Sequence, residues 1–201
     1  MLCKACALGL PQPPPSCPVC AMPSPVGSVC GACLSRPPAF DATLAVWPYA
    51  FPVDRLVHSL KYQGNLPVAR LFGTALALRV AGRAVDVVAP MPLARERLTA
   101  RGFNQAMEIA RATVARATME TAEIERVRDT LSQTDLPYGE RARNVRGAFA
   151  CSRSLHGRRV AVIDDVMTTG ATLGELAGTL KRAGAGWVEN WVIARTLPRD
   201  V

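Results

Sequence analysis

Apolar positions along the chain fall either at helical spacing or in short continuous runs. Val53, Leu56, Val57 and Leu60 recur at three- and four-residue steps, which predicts a short amphipathic helix ending near Tyr62 and Gly64. A second helix is expected over Leu66–Val80. Residues 85–89 form a short apolar run stopped by Pro90 and Pro92, and read as a buried strand. Asn104 can cap a helix running to about residue 119, with Met107, Ile109, Ala110 and Val114 supplying its apolar positions. Further strands are expected at 124–127, 160–163 and 187–194, and a helix at 171–183 closed by Gly184 and Gly186. Residues 43–50 read as an edge strand, because Pro48 has no N–H to give a ladder. Strand–helix–strand alternation over residues 41–201 predicts an α/β domain with a mostly parallel sheet flanked by helices.

Residues 1–40 lack apolar periodicity. They hold nine of the sixteen prolines and six of the seven cysteines, the latter in three Cys-x-x-Cys pairs. Such a segment cannot bury a core of its own, so its order must come from another source. Cys17–Cys20 and Cys30–Cys33 stand nine residues apart, and four thiolates in two knuckles fit tetrahedral Zn²⁺. A closed set of four ligands leaves no open coordination position, so the ion would be structural. Disulfide or redox roles are the competing readings. No basic-then-apolar signal pattern opens the chain, and a cytoplasmic setting favours metal over disulfide. Cys3 and Cys6 lie ten residues before Cys17 and could pair with either knuckle instead; six thiols cannot fill two four-cysteine sites. Cys151 reads as a small packing residue. The most apolar helix candidate, residues 68–82, is interrupted by Arg70 and Arg79, so no membrane span is expected.

Composition changes the picture in one respect. With 49% hydrophobic and 20% charged residues, the 201-residue chain is no disordered polymer. Its charge of 24 − 16 = +8 is concentrated: residues 136–160 carry six Arg and one Glu. A solvated basic face is the plain reading of that run. The alternative is a long loop that meets a polyanion, since Arg binds phosphate through a planar fork. Aromatic interleaving is sparse, with only Phe103, Tyr138 and Phe149 nearby, so single-stranded DNA binding is a moderate case on residues alone.

The strongest chemical signal spans residues 160–172. An apolar strand delivers Asp164 and Asp165 to its carboxyl end, and Met167-Thr-Thr-Gly-Ala-Thr172 then opens a helix. Ligands of open α/β sheets bind at that end of the strands. The loop can turn backbone N–H groups and hydroxyls toward one phosphate, and the helix dipole adds favourable potential. The carboxylates suit sugar hydroxyls or a hydrated divalent cation. One loop thus offers the two ends of a ribose 5-phosphate. The competing reading is a buried strand and capped helix with two solvent-facing aspartates.

This segment resembles the phosphoribosyl-pyrophosphate motif of type I phosphoribosyltransferases. With Arg101-Gly-Phe-Asn-Gln105, Arg143-Asn-Val-Arg-Gly-Ala-Phe149 and the cysteine-rich start, the whole chain resembles the competence protein F (ComF) family. The resemblance implies a type I phosphoribosyltransferase fold carrying an N-terminal zinc ribbon (residues 1–40), and a cytoplasmic role in DNA uptake. It places phosphoribosyl pyrophosphate, with Mg²⁺, on Ala89, Pro90, Met91, Asp164, Asp165, Met167, Thr168, Thr169, Gly170, Ala171 and Thr172. Asp164, Asp165, Arg143 and Arg146 would be catalytic, with a closing loop within residues 133–147. Arg101, Arg141, Arg143 and Arg146 are the nucleic-acid candidates. Single-stranded DNA and a competence helicase or recombination mediator are the implied partners, and the alternative reading is a DNA-binding module without turnover. Lys61-Tyr62 recurs beside the ligand cleft of that family, which makes Lys61 a further candidate. His58 and His156 read as surface or packing residues. The family often carries four cysteine pairs; this chain has three, so either one is missing or the true start lies upstream of Met1.

Overall fold

In the computed structural model, which describes residues 3–114, 123–128 and 145–198, four strands make the central sheet. β1 (Ala42–Pro48), β6 (Trp187–Arg195), β5 (Arg159–Met167) and β2 (Val87–Pro90) lie side by side in that order, every pair parallel. Two more strands, β3 (Ile124–Arg126) and β4 (Phe149–Cys151), pair antiparallel in a separate ribbon. β1 takes the edge, where a proline strand end is tolerated.

The period-two pattern of the inner strands sorts their side chains between two apolar layers. Ala161, Ile163, Trp191 and Ile193 pack with α3 (Val53–Gln63), α4 (Leu66–Val80) and α6 (Gln105–Thr113). Val160, Val162, Val188 and Val192 pack with α7 (Ala171–Arg182) and Phe40. The result is the three-layer arrangement that helical crossovers impose on a parallel sheet. α4 and α6 meet closely at Gly73, where a Cβ would come 2.6 Å from the Ile109 carbonyl oxygen. Glu189, 2% exposed, accepts hydrogen bonds from the indole N–H groups of Trp187 and Trp191 and pairs with Arg83 at 3.2 Å. Both tryptophans are therefore held on one face by a buried carboxylate.

Two elements differ in length from the periodicity. β5 continues past its apolar run through both aspartates, because β6 keeps pairing with it as far as Met167 and Arg195. Backbone ladders are indifferent to side-chain polarity when the neighbour supplies the partners. α6 stops at Thr113 rather than near residue 119. Thr113 and Val114 are both β-branched and Val114 is already extended (φ −132°, ψ 160°). Residues 115–122 lie outside the described residues.

The N-terminal segment contains α1 (Lys4–Leu8), a 3₁₀ turn at Pro25–Gly27 and α2 (Gly31–Ser35). It leans on the α/β part. Leu10 enters one apolar layer, Val19 and Cys20 pack against the other, and the Thr43 N–H donates to the Pro18 carbonyl at 2.9 Å.

Candidate functional site

The acidic pair sits where β5 runs out of apolar residues. Asp165 is 3% exposed and receives Lys61 Nζ of α3 at 2.6 Å. The Asp165 N–H donates to Asp164 Oδ1 at 2.9 Å, which fixes one carboxylate against the backbone of the other. Burial, and then the Asp165 charge, push the Asp164 carboxyl well above the ordinary carboxylate range. Burial pulls the Lys61 ammonium down, but Asp165 at hydrogen-bond distance, with Asp164 beyond, outweighs it, and the net shift is upward. Lys61 is therefore a fixed cation.

Immediately after the strand, Gly170 adopts φ +82° as the N-cap of α7. That left-handed conformation is cheap only for glycine, and a Cβ there would meet Met167 Cε at 2.7 Å. Glycine leaves the helix without a side-chain cap of its own; the Thr169 hydroxyl instead takes the Ala171 N–H at 3.2 Å. An unclosed helix N-terminus beside two threonines is a place an anion can occupy.

A third piece comes from β2 and the helix that follows it. Asn104 Oδ1 accepts the Ala106 and Met107 N–H groups at 2.9 and 3.3 Å, capping α6. Its amide nitrogen donates to the Met91 carbonyl at 3.0 Å, and the Met91 N–H donates to Ile163 O at 2.8 Å. The segment after β2 is thereby tied both to α6 and to the strand bearing the aspartates.

These pieces open on one cleft of about 450 Å³. It is lined by Asp164, Asp165, Val166, Thr168 and Thr172 from β5 and the loop and helix after it, and by Met91, Pro92 and Leu93 from the segment after β2. Lys61, Arg97, Arg101 and Arg126 supply positive charge, and Tyr49 and Tyr62 supply aromatic surface. Arg101 of α5 (Arg95–Arg101) lies over the Tyr62 ring, 5.8 Å from its centroid, and donates to Gln105 Oε1 at 2.5 Å.

Of the residues singled out in the sequence, Asp164, Asp165, Met91, Thr168, Thr172, Lys61 and Arg101 converge on this cleft. Ala89 and Pro90 are buried in β2 and Met167 in β5. Thr169, Gly170 and Ala171 shape the loop but are not among the lining residues. Arg146 is exposed and likewise does not line the cleft; its carbonyl accepts from Arg128 Nη2 at 2.5 Å. Arg141 and Arg143, and residues 133–144 of the expected closing loop, lie outside the described residues. Tyr49, Gln105 and Arg126 were not foreseen. Tyr49 follows directly on β1, so the rule that ligands gather at strand carboxyl ends could have found it.

The thiols of Cys17, Cys20, Cys30 and Cys33 all lie within 4.8 Å of one another. Burial would raise the Cys17 thiol, but backbone N–H groups of Cys30, Cys20 and Val19 directed at its sulfur bring it down to about 7. Burial and the neighbouring thiols push Cys33 upward. Four sulfurs converging without a disulfide are a donor set for a tetrahedral soft-to-borderline cation, and the group could hold a structural metal. Cys3 and Cys6 are exposed and not part of this cluster.

The cluster is bonded to the cleft loop. Arg195, at the end of β6, donates from Nε to the Cys20 carbonyl at 2.9 Å and from Nη1 to Met167 O at 3.0 Å and Thr196 O at 2.9 Å, and also to Thr168 O.

Fold and cleft define an α/β protein with an open cleft at the carboxyl edge of a parallel sheet and a four-cysteine knuckle docked beside it. No protein-family model matches the chain. The DNA utilization protein YhgH of Salmonella typhimurium is 34% identical over 98% of this chain and 91% of its own length. Competence protein F of Haemophilus influenzae is 29% identical over 83% of this chain and 78% of its own, and competence protein ComFC of Bacillus subtilis 26% over 90% and 78%. The chain belongs to this YhgH and competence protein F family. Among solved structures, a hypoxanthine-guanine phosphoribosyltransferase of Bacillus anthracis covers 68% of this chain and 76% of its own at 15% identity and a TM-score of 0.41. A purine phosphoribosyltransferase of Pyrococcus horikoshii covers 69% and 91% at 18% identity and 0.40. Both likenesses are distant. Among the described residues no helix is long and apolar enough to cross a membrane.

Proposed function

We propose that the chain binds phosphoribosyl pyrophosphate in this cleft and transfers its phosphoribosyl group to an acceptor, in the service of DNA utilization. The observation that carries this reading is the opening of the Asp164–Asp165 pair, Thr168 and Thr172 on one cleft beside Lys61 and Arg101. The loop and the α7 N-terminus take the 5-phosphate. Asp164 and Asp165 accept from the ribose hydroxyls. Lys61 holds Asp165 in place for that task through its contact at 2.6 Å.

Transfer needs little covalent chemistry from the protein. The acceptor's lone pair attacks the anomeric carbon, the bond to pyrophosphate breaks, and pyrophosphate leaves with the bonding electrons while the acceptor atom loses its proton to solvent. Mg²⁺, when present, would supply positive charge against the charge that grows on the leaving group. The carboxylate oxygens are hard donors suited to that ion. Arg97, Arg101 and Arg126, which also line the cleft, supply positive potential for the same purpose. Four thiolates at residues 17, 20, 30 and 33 would hold structural Zn²⁺.

A second reading rests on the rim. Tyr62 is two-thirds exposed under Arg101, a pairing that suits stacked bases and their phosphates. On that reading the cleft grips single-stranded DNA without turnover. Pyrophosphate release and single-stranded DNA affinity, measured on wild type and on Asp164→Asn/Asp165→Asn, separate the two. Turnover that is lost in the double variant while DNA binding persists supports transfer. Absence of turnover with a broad acceptor set, alongside salt-sensitive DNA binding, refutes it.

A further inference from the structure

Arg195 is a guanidinium that neither reading uses, and it is 5% exposed. A buried charge of this kind is costly unless every donor finds an acceptor. Arg195 meets that need largely with backbone carbonyls from two places far apart in the chain. One is Cys20, a member of the four-cysteine cluster; the others are Met167 and Thr168, which begin the phosphate loop, and the adjacent Thr196. The loop end is held a second time, since the Thr196 N–H donates to Met167 O at 3.0 Å.

The guanidinium is a rigid plane with its donors in fixed directions. A carbonyl on Nε and carbonyls on Nη1 therefore cannot shift independently: displacing the Cys20 peptide rotates or withdraws the group that fixes Met167 and Thr168. Charge-assisted bonds of this kind are about twice as strong as neutral ones. The apolar contacts run in the same direction. Cys20 and Val19 pack on the layer that includes Met167, and Phe40 of that layer lies within 3.7 Å of where a Gly170 Cβ would stand.

We infer that Arg195 is a positioning residue that couples the four-cysteine cluster to the phosphate loop, so that metal held by Cys17, Cys20, Cys30 and Cys33 sets the loop's affinity for a sugar phosphate. Metal fixes the Cys17–Cys20 knuckle; the knuckle fixes the Cys20 carbonyl; Arg195 carries that constraint to Met167 and Thr168. The affinity arm of this inference rests on the loop being a phosphate site. The coupling itself does not.

The test uses the full chain with Zn²⁺ bound, then after removal by a chelator, then after Zn²⁺ is restored. Two readouts are followed: amide hydrogen exchange of residues 167–172, and the dissociation constant of ribose 5-phosphate by calorimetry. In wild type, metal removal is expected to speed exchange in the loop at least tenfold relative to β5 residues 160–163, and to weaken ribose 5-phosphate by a similar factor, both reversed by Zn²⁺. In Arg195→Lys, which keeps the charge but not the planar fork, loop exchange is already fast with metal present and no longer responds to its removal. Saturating ribose 5-phosphate must in turn raise the affinity for Zn²⁺ in wild type by the factor that Zn²⁺ confers on it. Loop exchange in wild type that ignores the metal while β5 stays protected overturns the coupling. So does an Arg195→Lys protein whose loop still responds to metal by the wild-type factor. If ribose 5-phosphate fails to bind the Zn²⁺ form at all, the phosphate reading fails, and the exchange measurements still decide the coupling.

Discussion

Replacing Lys61 by Met removes the cation from a buried pair and leaves the Asp165 carboxylate at 3% exposure without its ammonium. At 2.6 Å and an effective dielectric near 20, the Coulomb attraction is about 6 kcal/mol. Much of that offsets the desolvation of the two groups, and about a fifth of the Lys61 side chain remains in contact with water. Breaking a buried pair by deleting one partner costs about 3–5 kcal/mol, and the exposure of Lys61 places this case near the lower end, about 3 kcal/mol. For a chain of this size that corresponds to about 6–12 °C in Tm. Urea unfolding of Lys61→Met, Asp165→Asn and the double variant at pH 7 gives the coupling energy directly. The double variant is expected to recover most of the loss, because neutral Asn does not need the ammonium. The pH dependence carries the same logic. The Lys61 pKa is raised by folding, so its contribution is complete below the ordinary lysine value of 10.5 and disappears as pH rises through the higher folded value. A Lys61→Met cost below about 0.5 kcal/mol, in the range of an exposed pair, or single-variant losses that simply add, would refute this account.

Asp164 shows the same direction at lower pH. Its carboxyl is raised in the fold, so it favours folding below 3.8 and that contribution fades as pH rises through the folded value. Asp164→Asn should therefore gain stability over wild type progressively from acid to neutral pH, measured by urea midpoints, while losing ribose 5-phosphate binding. Gly73→Ala should cost about 1–3 kcal/mol in the same assay, because its Cβ meets the backbone carbonyl of Ile109, which cannot swing aside. Metal analysis should find about one zinc per chain, retained in Cys3→Ser/Cys6→Ser and lost in Cys17→Ser, since the first two thiols lie outside the cluster.

The sequence by itself determined the α/β class, the order of the main elements and the acidic strand end with its threonine-glycine loop. Those features are local: short apolar stretches in β5 and β6, period 3.6 in α3, and a threonine-glycine turn after two aspartates are properties of a few consecutive residues. The paired knuckle spacing was legible for the same reason, because two Cys-x-x-Cys turns already bring their thiols together in pairs. Tertiary structure alone decided the rest. That Lys61 of α3 neutralises Asp165, that Arg83 pairs with Glu189 and that Arg195 joins Cys20 to Met167 are contacts that reach across 104, 106 and 175 residues of chain, set by which helix crosses which strand. The end of β5 was missed because its ladder partner on β6, and not its own side chains, sustains it. No local pattern records such partners; a polar residue's role depends on what the fold brings against it, since its charge is cheap in water and expensive without a partner in the interior.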